Sequence, residues 1–303
     1  MTTFILGSRG SVLALIQTHF VIQQISQNNP GVSFEVRKIK TQGDVQRHRT
    51  LSRMGGKGVF VKEIQQALLA GEVQAAVHSC KDLPVECPPG LEIVAILRRD
   101  DPRDALVSRS GLDLKSLPQG ALLGTGSPRR AAQIRALRPD LQIGELRGNL
   151  DTRLRKVHFG AVEAVVVAAA GLDRMGYQGR ITQLLPCEAC IPAVGQGALA
   201  VEIRADNDEA RRLLAPLDHP PSRNAVTAER AFLEWLGGGC HSPIAALGEV
   251  QGGRLTLRGM VAASEGDRLL KDTVEGDADS PEQVGRHLAE RLSEQGAAEF
   301  LEV

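Results

Sequence analysis

Apolar residues along this chain recur in two rhythms, short strand-like runs and longer stretches with one apolar face, and the two alternate from the third residue onward. Residues 3–7 read as a strand. Residues 11–27 read as a helix whose apolar face is built from Val12, Leu15, Ile16, His19, Val21, Ile22 and Ile25. Residues 32–40 alternate as a strand does, 59–69 form a helix closed by Gly71, and 75–79 and 91–97 are further strands. A second series opens at 104–108 and continues with strands near Ala121, Leu141 and 164–168. A strand-like run at 198–203 is followed by a helix through Leu214. Alternation of this kind predicts doubly wound α/β layers.

The rhythm breaks at Ala215-Pro216 and again at Pro220-Pro221, which marks a boundary. Beyond it a helix over 222–236 ends in Gly237-Gly238-Gly239. Strands near 255–261 and 269–274 and an amphipathic helix over 281–294 make a small α+β tail. The polar stretch 41–58 holds several cations and the closing glycines Gly55, Gly56 and Gly58, with little periodicity. Both a mobile lid and a plain surface loop fit it.

Composition narrows the function. With 303 residues, 42% apolar and 24% charged, the chain can bury two or three cores. Lys plus Arg and Asp plus Glu number 36 each, for a net charge of +0, which excludes the basic excess of a nucleic-acid or membrane-surface protein. The aromatic residues (Phe 7, Trp 1, Tyr 1) are too few for base-stacking platforms. No apolar run is long enough to span a bilayer, and the amino end lacks a secretory signal pattern. Five cysteines without regular spacing suit a reducing compartment, so a cytoplasmic protein is expected.

The candidate chemistry begins with misplaced arginines. Gly124-Thr125-Gly126-Ser127-Pro128-Arg129-Arg130 reads as a strand end, a glycine turn, a Ser cap, Pro at the first helical position and two cations in the opening turn. Cations there oppose the helix dipole at a cost of about 0.3–1 kcal/mol, so the arrangement favours an anion held by backbone N–H groups and guanidinium forks. Leu146-Arg147-Gly148-Asn149-Leu150-Asp151-Thr152-Arg153 repeats the design after a strand over 141–145. Two such units suggest a small ligand with several negative groups.

Three further features carry open alternatives. Cys240, behind three glycines, is either an exposed nucleophile or attachment point or a packed residue after a helix cap. Asp82, where the run through His78, Ser79, Cys80 and Lys81 leaves a strand, either serves a cationic substrate group or proton relay or is a turn acid paired with Lys81. Cys187-Glu188-Ala189-Cys190 has no second Cys or His pair at zinc-site spacing, so no metal is expected. His78 reads as a packed residue, and no Ser-His-Asp triad is evident.

Taken in order, Gly7-Ser8-Arg9-Gly10-Ser11, Gly55-Gly56-Lys57-Gly58, His78-Ser79-Cys80-Lys81-Asp82-Leu83-Pro84 and Asp101-Pro102-Arg103-Asp104-Ala105 resemble the porphobilinogen deaminase (hydroxymethylbilane synthase) family. The likeness continues through 124–130, 147–153, Gly195-Gln196-Gly197-Ala198 and Gly239-Cys240, nearly end to end. It implies an α/β fold of two periplasmic-binding-protein-like domains flanking a cleft, with a small α+β domain at the carboxyl end. The expected bounds are 1–97 with 198–215, then 98–197, then 216–303.

The resemblance implies a transferase that joins four porphobilinogen molecules head to tail, releasing ammonia, and hydrolyses off the linear tetrapyrrole. Its primer is a dipyrromethane cofactor, expected as a thioether on Cys240. Asp82 corresponds to the catalytic carboxylate. Arg9, Arg129, Arg130, Arg147 and Arg153 correspond to carboxylate-binding positions, with Ser11, Lys81, Thr125 and Ser127 as further donors. Lys57, Ser79, Asn149 and Gln196 also fall in the implied binding set, and Phe60 is a candidate for stacking on a pyrrole ring. Arg53 stands where relatives often have Lys, and Cys80 lies at a variable position. A monomer without metal, nucleic-acid or membrane partners is implied. The alternative is a small-anion solute-binding or effector-sensing module of the same two-domain fold, in which Cys240 would have no task.

Overall fold

The structure, a computed structural model, describes residues 3–41, 61–239, 242–263 and 268–300. The chain opens with β1 (Thr3–Arg9), α1 (Val12–Asn28), β2 (Ser33–Ile39), α2 (Lys62–Leu69), β3 (Ala75–Ser79) and β4 (Leu91–Ile96). A second series follows: β5 (Asp104–Ser108), β6 (Leu122–Gly124), α3 (Pro128–Leu137), β7 (Gln142–Gly144), α4 (Leu150–His158), β8 (Ala164–Ala168), α5 (Ala169–Arg174) and β9 (Gln183–Leu184). Then come β10 (Leu199–Arg204), α6 (Asp208–Leu214), α7 (Pro220–Trp235), β11 (Ile244–Gln251), β12 (Arg254–Ala262), β13 (Leu269–Asp277) and α8 (Pro281–Glu294). The described residues fall into two compact units, one from 1–99 and 198–223, the other from 100–197 and 224–303.

The first unit is built on one sheet in the order β2-β1-β3-β10-β4, with β1, β2 and β3 parallel and β10 antiparallel to both neighbours. Successive strand residues face opposite ways. Leu6, Ala75 and Val77 accordingly pack with Val21 and Ile25 of α1 and Leu214 of α6, while Ile5 and Ala76 pack with Ile64 and Leu68 of α2. Helices thus cover both faces, as the alternation predicted. The face that α1 buries differs from the expected apolar one, because it includes Gln17 and Thr18 while Val12 is exposed. Both polar side chains are bonded, Gln17 to Ser79 and Thr18 Oγ1 to the Ala14 carbonyl at 3.0 Å, which permits their burial.

The second unit holds two sheets. One runs β7-β6-β8-β5-β9, with β6, β7 and β8 parallel and β5 antiparallel to β8 and β9. Its faces again alternate: Val165 and Val167 pack with Leu154 and Val157 of α4, and Val166 and Ala164 with Ile134 of α3. The other sheet is the antiparallel meander β11-β12-β13. Strand β11 is absent from the sequence-based expectation, because Ala245, Ala246 and Gly248 weaken the strand signal. Its turn is legible in retrospect: Gly252 and Gly253, at φ +57° and +79°, form the two-residue connection between paired Gln251 and Arg254. One face of this meander packs against Ala132 of α3 and Ile191, so the arginine-bearing helix and the tail sheet share a core.

Candidate active site

Strands β1 and β3 lie side by side and parallel, so their carboxyl ends emerge together, the usual ligand end of an open α/β sheet. Arg9 ends β1, and Ser11 caps α1 by accepting the Ala14 amide at 3.3 Å. Ser79 ends β3, and its hydroxyl takes the Gln17 side-chain amide at 3.0 Å. The chain then makes a single 3-10 turn over Cys80–Asp82, pinned by the Cys80 amide donating to the Ala198 carbonyl at 3.0 Å. Asp82 is half-buried on that turn, beside Lys81. The structure therefore brings Arg9, Ser11, Ser79, Lys81 and Asp82 to neighbouring strand ends of the first unit.

In the second unit the expected strand, turn, cap and first-position proline all form. Ser127 caps α3 by accepting the Arg130 amide at 3.4 Å, and Thr125 Oγ1 accepts the Ser127 amide at 3.2 Å. Gly126 is required here because a Cβ would stand 2.9 Å from the Leu146 carbonyl oxygen. Arg129 and Arg130, which the sequence assigned to an anion, have a partner within the protein. Both are buried, at 3% and 5% exposure, and converge on Asp104, which is 0% exposed. Arg129 Nη1 meets Asp104 Oδ2 at 2.8 Å, and Arg130 Nη2 meets Oδ1 at 2.7 Å. The first partner of these two misplaced cations is thus an internal carboxylate.

Gln196 is buried in the same network, donating to Asp104 Oδ1 at 2.9 Å and to the Pro102 carbonyl at 2.7 Å. Burial alone would raise the Asp104 pKa, but the two guanidinium charges outweigh it and hold the carboxyl far below the usual range. Cys190, against the same cluster, is pushed up to about 12 by burial and then by the Asp104 charge, so it stays a neutral thiol. Among the described residues, Arg129 Nε is buried without a hydrogen-bond partner.

The second arginine unit is more open. Arg147 pairs with Glu145 through Nε at 2.8 Å. Asn149 caps α4, its Oδ1 accepting the Thr152 amide at 3.1 Å and hydroxyl at 2.7 Å. Arg153 folds back to donate from Nε to the Gly148 carbonyl at 2.9 Å.

Lys57, Phe60 and Arg53 lie outside the described residues, as do Cys240 and most of the 41–58 stretch. The glycines before Cys240 have structural work of their own. Gly237, at φ +64°, closes α7, and a Cβ on Gly238 would stand 2.4 Å from Ile244 Cδ1. His78 is packed as expected, 3.2 Å from Glu202 Oε2. Among the described residues no group of His, Cys, Asp and Glu could hold a metal ion, and no helix is long and apolar enough to cross a membrane. Sequence reasoning missed Asp104 and Gln17. A pair of adjacent arginines behind a Ser cap was the available signal for an internal acid, but nothing local says which.

Comparison with known proteins decides the family. Residues 4–212 match the family model described as porphobilinogen deaminase, dipyromethane cofactor binding domain, and 224–294 match porphobilinogen deaminase, C-terminal domain. The chain belongs to the porphobilinogen deaminase family. The porphobilinogen deaminase of Roseiflexus sp. (strain RS-1) is 50% identical over 299 residues, covering 99% of this chain and 98% of that protein. That of Geobacillus kaustophilus (strain HTA426) is 50% identical over 303 residues, covering 100% and 97%. Among solved structures, the second substrate binding domain of a putative amino acid ABC transporter from Streptococcus pneumoniae aligns with TM-score 0.45 at 13% identity, over 78% of this chain and 95% of that one. As a porphobilinogen deaminase family member, the chain is an enzyme of tetrapyrrole biosynthesis with a dipyrromethane cofactor-binding domain, as the motif order implied.

Proposed function

We propose that this chain condenses four porphobilinogen molecules head to tail at a site whose acid is Asp82, on a primer tethered through the sulfur of Cys240. The observation that carries the assignment is local. Asp82 sits on the turn that leaves β3, next to the end of β1 that presents Arg9 and the capped helix of Ser11. A carboxylate there stabilises the positive charge that develops on the substrate as ammonia departs, accepts hydrogen bonds from pyrrole N–H groups, and can relay the released proton.

The donor set fits a polycarboxylate ligand. Each porphobilinogen unit bears an acetate and a propionate, and this chain supplies the buried but incompletely bonded Arg129, its neighbour Arg130, and Arg147 and Arg153 near a second helix start. Arg9, Arg129, Arg130, Arg147 and Arg153 would hold the carboxylates, aided by Ser11, Lys57, Ser79, Lys81, Thr125, Ser127, Asn149 and Gln196, with Phe60 against a ring. When bound, the dipyrromethane supplies the pyrrole carbon to which the first unit is joined. Division into 1–97 with 198–215, 98–197 and 216–303, a monomeric state, a cytoplasmic location and a role in haem synthesis complete the reading.

Asp82→Asn tests it. The variant is expected to fold and carry the cofactor while kcat falls by about a hundredfold or more. Retention of wild-type kcat would remove Asp82 from the chemistry.

A further inference from the structure

The buried acid at the start of β5 has no part in the steps above, yet everything around it is organised by it. Its Oδ2 accepts Arg129 Nη1 at 2.8 Å, and its Oδ1 accepts Arg130 Nη2 at 2.7 Å and Nε at 3.0 Å. Gln196 donates to Oδ1 at 2.9 Å, and its own carbonyl oxygen accepts Arg130 Nη2 at 3.3 Å. Consecutive helical residues point about 100° apart, so two adjacent arginines reach one carboxylate only when each is drawn into a fixed arrangement. The Ile191 carbonyl fixes Arg129 Nη1 further, at 2.6 Å.

The charges do not balance within the cluster. Two guanidinium groups face one carboxylate, and Cys190 adds no charge. Among the described residues one positive charge remains, together with an Arg129 Nε that has no hydrogen-bond partner there. A buried net cation is unfavourable until an anion joins it.

We infer that Asp104 is a positioning residue for the arginine pair: it aims both guanidinium groups and cancels one of their two charges, so that one pyrrole carboxylate completes the cluster. This rests on the reading that Arg129 and Arg130 hold ligand carboxylates. With both arginines aimed in advance, less ordering is left for the ligand to impose.

The experiment compares Asp104→Glu, Asp104→Asn, Arg130→Gln and the double variant Asp104→Asn/Arg130→Gln. Cofactor content is read by intact mass, and KM and kcat for porphobilinogen are measured on the cofactor-bearing fraction. Asp104→Glu keeps the charge but displaces the oxygens by one methylene. It is expected to raise KM about tenfold with a smaller change in kcat, and to lower the fraction of chains carrying cofactor. Asp104→Asn should do the same on the wild-type background and add little on the Arg130→Gln background, because the acid acts through the arginine.

If Asp104→Asn does not fold, Gln196→Met replaces it, since it removes one donor to Asp104 and leaves the acid in place; a smaller KM rise is expected. Unchanged KM and cofactor content in folded Asp104→Glu and in its companion variant would overturn the inference, leaving Asp104 a purely structural charge. Wild-type KM and cofactor content in Arg130→Gln would instead remove the ligand-binding reading beneath it.

Discussion

Gln17 donates from Nε2 to Ser79 Oγ at 3.0 Å, tying the middle of α1 to the last residue of β3. That bond joins the helix capped by Ser11 to the strand whose next turn carries Asp82. Replacing Gln17 by Leu removes the tie while keeping the bulk. The expected result is a stability loss of about 1 kcal/mol and a fall in kcat of about tenfold, from a slightly displaced acid. Urea unfolding and steady-state turnover check the two parts separately, and unchanged turnover would show that the turn holds itself.

Asp104 makes a pH-dependent contribution whose sign is fixed. Despite burial, the charges of Arg129 and Arg130 depress its folded pKa below the ordinary 3.8. The unfolded chain takes up a proton there before the folded one does, so the stability it supplies is full above that value. It is lost as pH falls below it toward the folded pKa. Wild-type stability should therefore fall more steeply below about pH 4 than that of Asp104→Asn, by up to about 1.4 kcal/mol per pH unit. At neutral pH the variant, left with two buried cations, should be less stable by about 3–5 kcal/mol. Urea unfolding from pH 7 to pH 3 measures both.

Thiol reactivity follows from burial. Cys187 is pushed up to about 11 by burial and then by Glu188, and Cys190 to about 12 by burial and then by Asp104. Native protein treated with iodoacetamide at pH 8 should keep both thiols unmodified over a period that alkylates them after denaturation, as read by peptide mapping. Rapid alkylation of either in the native protein contradicts this.

Gly197, beside the buried Gln196, adopts φ +90°, and a Cβ there would stand 2.6 Å from the Asp100 carbonyl oxygen. Both the backbone angle and the close approach demand glycine. Gly197→Ala should cost about 2 kcal/mol or more, seen as a lower melting temperature. A variant as stable as the wild type would mean that this turn readily rearranges.

Much of the architecture was legible because strand and helix rhythms are local. The Ser127 cap and the proline at 128 stand where the sequence put them. Strand β11 escaped because Ala and Gly dilute its pattern, although the Gly252-Gly253 turn beside it was in view. At the site, the sequence correctly singled out the odd placement of Arg129 and Arg130 but assigned it to a ligand alone. Their internal partner lies 25 and 26 residues away at the start of strand β5, a pairing that no local pattern encodes. Gln17 escaped for a related reason: a polar residue on a helix is taken for solvent-facing until its partner, 62 residues on, is known.

The intact mass of the purified chain tests the tethered primer on Cys240. Protein prepared with porphobilinogen available should be heavier than its sequence by one dipyrromethane, and Cys240→Ser should return to the sequence mass. A wild-type chain of plain sequence mass, or a Cys240→Ser chain that still carries the addition, would contradict the account.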